Sequence, residues 1–330
     1  MCPNKLKMEH EKNCSANYTG PSGGMEVAGV KKVFQQSEEL HNVRYVGYLG
    51  DGDSKAFNEV VKDNPYGDVV ISKLECIGHI QKRMGSRLRR LKTSLKGKIL
   101  CDGKSISGKN RLTDGAIDRL QNYFGLAIRQ NLDSVENMRR AIWAIYFHTL
   151  STNETPNHGL CPAGADSWCK YRKGLITGEK YNHSNSLPTA IMDEIKPIFK
   201  DLAQQDLLKK CLHGRTQNPN ESLHNVIWSR IPKTVFVGIY TLHFGVFDAI
   251  STFNEGNVTK CLVLQLLGLS AGHNTVEAMK RLDRERLRSA DCKFKNITKE
   301  AMQQKRGVKR KLLLENEEDP DNPSYGDDLF

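Results

Sequence analysis

The side chains able to do chemistry in this sequence fall into four groups. Gly50-Asp51-Gly52-Asp53 sets two carboxylates among glycines. Glycine permits a sharp turn and the close approach of a ligand, and one or two carboxylate oxygens beside a substrate phosphate are what Mg2+ takes. The same tetrapeptide also suits a polar turn that satisfies its own backbone. Cys76-x-x-His79 has the spacing of half a zinc site, and Cys211-x-His213, eight residues before Glu221, offers another half. His148, His158, Cys161 and Cys169 bring four ligands into 22 residues. That set is enough to close a tetrahedral zinc by itself and to order a loop too polar to pack otherwise. Buried thiols with incidental histidines are the alternative reading.

Around these groups the charge is concentrated. Residues 80–111 carry eleven Lys and Arg against one acid, among them Lys82, Arg83, Arg87, Arg89, Arg90, Lys92 and Lys96. Such a stripe is the footprint of a polyanion binder, most often nucleic acid; a solvated helix face would look the same. A second basic stretch, 281–311, has twelve bases and four acids, and the tail from Glu315 onward has seven acids and no base.

The elements that must position these residues follow from periodicity. Apolar spacing predicts a helix over 25–42, a strand over 43–49, a short helix over 55–62 and a second strand over 68–74: an α/β unit with the acidic tetrapeptide at the end of its first strand. Downstream the pattern is helical. Ile80, Met84, Leu88, Leu91 and Leu95 make one stripe, with Arg83, Arg87 and Arg90 on another face. Helices are predicted over 112–129, 134–150, 188–212 and 220–229, a Cys/His/Gly/Pro loop over 151–187, apolar core segments over 235–253 and 258–267, and a basic helix or arm over 281–311.

With 330 residues, 38% apolar and 26% charged, the chain has globular composition and length for about two folded units. The most apolar run, Val235 to Ile250, is interrupted by Thr241, His243 and Asp248, so no membrane span is expected. The opening MCPNKLKMEH has no apolar run, and nine scattered cysteines suit an intracellular chain that uses thiols for packing or metal. Lys305-Arg306-x-x-Lys309-Arg310-Lys311 suits nuclear import, and the nucleus is the expected location.

Five segments, NYTGPSGGMEV (17–27), RYVGYLGDGDSKAF (44–57), KLECIGHIQKRMG (73–85), CPAGADSWCKY (161–171) and TQNPNESLHNVIW (216–228), resemble the Mutator-like transposase domain, over about residues 14–290. The resemblance implies a DDE transposase: an α-rich α/β fold, with a ribonuclease H-like core interrupted by a large all-helical insertion. Carried over residue by residue, Asp51 or Asp53 (Asp51 preferred) is the second catalytic Asp, Glu221 in Glu-Ser-x-x-Asn is the catalytic Glu, and Cys76 and His79 form the Cys-x-x-His. Mg2+ or Mn2+ held by the carboxylates would drive cleavage and strand transfer of DNA, while the basic stripe holds the DNA backbone. By analogy with related recombinases, Cys76, His79, Cys211 and His213 would close one structural Zn2+.

The implied organisation is a polar segment over 1–24, an opening ribonuclease H-like segment over 25–79, the insertion over 80–215, a closing ribonuclease H-like segment over 216–290, and a basic arm with a disordered acidic tail over 291–330. The family's first Asp is missing, since no Asp precedes Asp51. An N-terminally incomplete domain with impaired catalysis is therefore expected, because two carboxylates hold two metal ions poorly. The alternative is a non-catalytic, zinc-stabilised nuclear DNA-binding protein derived from a transposase. DNA is the expected partner, a homo-oligomer is allowed, and neither a membrane nor a small-molecule substrate is expected. An RNA-associated role ranks last, for want of a recognisable aromatic platform at 7% aromatic residues.

Overall fold

A computed structural model describes residues 18–50, 55–164, 167–183 and 185–294. The chain divides into two compact units, Met1–Pro219 and Asn220–Phe330. The polar start of the chain, Asp51, Asp53, the Lys305–Lys311 cluster and the acidic tail lie outside the described residues.

The first unit begins with an α/β element. Helix α1 (Ser22–Gln35) runs into a short α2 (Ser37–His41), then strand β1 (Gly47–Gly50), α3 (Lys55–Asp63) and strand β2 (Ser72–Glu75). The strands pair in parallel, with Gly50 opposite Glu75. A small core of Phe34, Val60, Tyr66 and Ile71 joins this layer. Its hub is the Tyr66 hydroxyl, 2.6 Å from Ser37 Oγ, which also accepts the backbone N–H of Tyr45 at 3.1 Å. That bond explains why β1 is shorter than its β-branched sequence predicts. The Tyr45 amide is taken by a side chain, and Asn42, three residues earlier, holds a left-handed φ of 51°.

The rest of the unit is helical: α4 (Ile77–Ser94), α5 (Asp114–Arg129), α6 (Val135–Leu150), α7 (Lys170–Thr177), α8 (Thr189–Leu202) and α9 (Gln205–Lys209). The predicted stripe is the buried one, with Ile77, Ile80, Met84 and Leu88 fully buried against Ile117, Phe124, Ile142 and Phe199. Thr113 and Ser134 cap α5 and α6 by accepting the N–H groups of Ala116 and Asn137. Helices α4 and α5 approach closely at Gly85 and Gly125, where Gln121 and Gln81 occupy the space a Cβ would take. The single helix predicted over 188–212 is instead two, broken after Leu202. The predicted loop carries α7, stopped by Gly178 at φ 78°.

The second unit contains α10 (Asn218–Trp228, whose first two residues belong to the first unit), α11 (Ile239–Glu255), α12 (Thr259–Leu266) and α13 (His273–Phe294). Here the predicted apolar core is mostly at the surface: Phe236, Tyr240 and Phe244 are exposed, while Ile231, Ala249 and Thr252 are buried. Polar contacts hold these helices instead. Arg230 pairs with Asp248 and donates to Thr252, and Asp283 accepts from the backbone and side chain of Asn257. No described helix is long and apolar enough to cross a membrane.

Candidate metal centre

The end of α6 presents His148 in its last turn. Ser151, at the C-cap, donates to Phe147 O and accepts the N–H of Asn157. This folds the chain back, so that His158 comes to face His148. A turn from His158 O to the Cys161 N–H places the first thiol. Arg172, on α7, donates to the same carbonyl at 2.9 Å. Ser167 donates to Pro162 O and accepts the Cys169 N–H, which delivers Cys169 to the start of α7.

The four ligand atoms lie within 4.8 Å of one another, and His158, Cys161 and Cys169 are buried. The two Nδ1 atoms are 3.2 Å apart, and the four sulfur–nitrogen separations run 3.4, 3.6, 3.7 and 3.7 Å. A tetrahedral Zn2+ with nitrogen at about 2.05 Å and sulfur at about 2.3 Å requires about 3.3 Å between nitrogens and about 3.6 Å between nitrogen and sulfur. The donors match that figure, and a Cys2His2 set is a zinc set. Burial pushes the imidazoles below their ordinary range, His158 to about 4 with help from the neighbouring His148, His183 and Arg172 charges, so both rings are neutral ligands at pH 7. Burial and the adjacent Cys169 push the Cys161 thiol up to about 12. A divalent cation reverses that cost by holding the thiolates.

A fifth residue, which no spacing rule picks out, orients the site. His183 Nε2 is 2.7 Å from His158 Nε2, and Asn153 Oδ1 accepts from both the backbone N–H and Nδ1 of His183 at 2.9 and 2.8 Å. Because Asn153 Oδ1 can only accept, His183 carries its proton on Nδ1, so its Nε2 accepts from His158. The lone pair of His158 Nδ1 then faces the thiols, and Tyr171 stacks on its ring at 4.2 Å. Partners of this kind fix ligand tautomer and are worth about 10–100-fold in metal affinity. His183→Phe should therefore bind zinc about 10–100-fold more weakly in a chelator competition, with the helical content unchanged; equal retention would refute the role.

Among the described residues this is the one set of three or more ligands that is gathered. Cys76 and Cys211 are both buried, but Cys76 Sγ accepts the Gln217 N–H at 3.3 Å and Cys211 donates to Leu207 O. His213 accepts the Arg215 N–H on Nδ1 and donates from Nε2 to Glu75 O, so both its ring nitrogens serve the backbone. His79 is half-buried on α4. Cys76 and His213, with backbone bonds from Glu75 to Lys210 and from Ile77 to Arg215, fasten the segment 210–217 to the end of β2, and burial, then the Glu75 carboxylate, pushes the Cys211 thiol up to about 12.

Four of the seven named cations of the basic stripe are tied up in ion pairs. Arg83 pairs with buried Glu75, Arg87 with Asp201, Arg89 with Asp118 and Lys92 with Asp114, which bridges α4 to α5 and α8. Lys82, Arg90 and Lys96 are exposed. Of the candidate carboxylates, Glu221 is half-buried on α10 in the second unit; β1 ends at Gly50, the first residue of the acidic tetrapeptide.

A family model described as Mutator-like transposase matches residues 2–169. No curated protein and no solved structure matches the chain.

Proposed function

The chain belongs to the Mutator-like transposase family, and from that membership we propose that it is a nuclear DNA-binding protein of DDE-transposase descent, with a helical insertion closed by structural zinc. The observation that carries this reading is that the matched span contains both the acidic tetrapeptide after β1 and the whole His148–Cys169 quartet. A parallel β-α-β unit with acids at the strand end supports a ribonuclease H-like ancestry for the opening segment. The net charge of +11 supports a polyanionic partner.

The catalytic carboxylates in this reading are Asp51 or Asp53 and Glu221, and Mg2+ or Mn2+ would supply water activation and charge neutralisation at a phosphodiester. The resemblance assigns two of the three acids to residues of this chain, and two carboxylates hold two metal ions poorly, so the reading expects binding without cutting. In the assay, log affinity for duplex DNA falls linearly with log salt, and the binding survives Asp51→Asn, Asp53→Asn and Glu221→Gln. Nicking by the purified chain with Mg2+ or Mn2+, abolished by Glu221→Gln, would overturn the non-catalytic reading. Absence of salt-dependent DNA binding would overturn the whole.

A further inference from the structure

Beside the metal centre lies an open groove of about 1060 Å3, bounded by α5, α6 and the Cys/His loop. Arg119 and Tyr123 stand one helical turn apart on α5, Arg140 projects from α6, and Trp168 and Lys170 come from the loop and the first turn of α7. Arg119, Arg140 and Lys170 are exposed and enter no ion pair among the described residues, in contrast to Arg83, Arg87, Arg89 and Lys92 of α4. None of the described residues lining the groove carries a carboxylate. Trp168 and Tyr123 each leave 49% of their surface exposed, and Tyr181 also lines the groove. The edge of His148 braces the Trp168 ring at 5.1 Å between centroids.

A trough with unpaired cations on both walls and half-open aromatic faces matches one ligand chemistry: phosphates spaced along a flexible chain with flat, unpaired rings between them. Duplex DNA keeps its bases stacked inside, where Trp168 and Tyr123 cannot use them; an unpaired strand offers every base as a stacking face. Resting on the DNA-binding reading above, we propose that this groove, rather than the basic face of α4, is a binding site for single-stranded DNA. The strand's bases stack on Trp168 and Tyr123, and its phosphates meet Arg119, Arg140 and Lys170.

The test is fluorescence anisotropy of the full chain with a labelled oligothymidylate, a duplex of equal length and an oligouridylate. Trp168→Ala should weaken oligothymidylate binding about tenfold, the effect of one lost stacking platform, and leave the duplex unaffected. Arg119→Ser/Arg140→Ser, both at exposed positions, should weaken it too and flatten its salt slope by about 1.4, from about 0.7 per lost phosphate contact. Duplex binding with no response of the oligothymidylate to either variant sinks the groove and spares the DNA-binding reading; no binding to any probe sinks both. Tighter binding of the oligouridylate overturns the assignment to DNA.

Discussion

Cys169→Ser is expected to empty the metal centre. Structural zinc in small domains is worth about 10–16 kcal/mol, roughly 2.5–4 kcal/mol for each of four ligands, or about 60- to 700-fold in affinity for one lost thiolate. Serine differs from the fully buried cysteine by one smaller atom, so the loss of packing is small beside the loss of a ligand. The consequence reaches beyond the ligand, because the segment between α6 and α8 has one short helix of its own and few apolar side chains to bury. Without metal, two neutral imidazoles and two thiols would be left with only weak hydrogen bonds to one another at 3.2–3.7 Å. The purified variant should hold less than about a tenth of the wild-type zinc after dialysis against a chelator. Limited proteolysis should open at 151–187, while exposed Cys101→Ser leaves both readouts unchanged. A Cys169→Ser chain with full zinc and a protected loop would contradict the assignment.

The second large effect is Phe199→Ala. This ring is fully buried where α8 meets α6, edge-on to Tyr146 at 5.4 Å and 6.5 Å from Trp143. Truncation removes the transfer free energy of a large aromatic side chain and leaves a cavity that three helices cannot all collapse into, a cost of about 3–5 kcal/mol. For a unit of this size that corresponds to a melting temperature lower by about 6–20 °C. Urea unfolding should show the midpoint falling with the slope preserved. A change below about 1 kcal/mol would mean that the α6–α8 junction is not the core described here.

What the sequence makes legible is what is local. The stripe of Ile80, Met84 and Leu88 repeats at helical spacing and is the buried face of α4. The four candidate metal ligands lie on one helix end and the loop after it, so spacing alone brings them to notice. His183 and Asn153 escaped because their role depends on a loop returning after 25 residues to meet His158. The basic stripe was visible as a count of cations, but the acids that neutralise it, Asp114, Asp118 and Asp201, arrive from two other helices. The cations of the groove are spread over three elements and form no run in sequence. Residues 235–253 fail for a different reason. Apolar composition marks a segment that can be buried, whereas Phe236, Tyr240 and Phe244 remain at the surface and the second unit is held by Arg230, Asp248 and Asp283.

X-ray absorption at the zinc edge, on the full chain purified without added metal, reaches the central claim most directly. One zinc per chain, with two nitrogens at about 2.05 Å and two sulfurs at about 2.3 Å, is the predicted result, and the signal should vanish in Cys161→Ser/Cys169→Ser. A shell of four sulfurs, a shell of oxygens, or zinc retained in that double variant would contradict it.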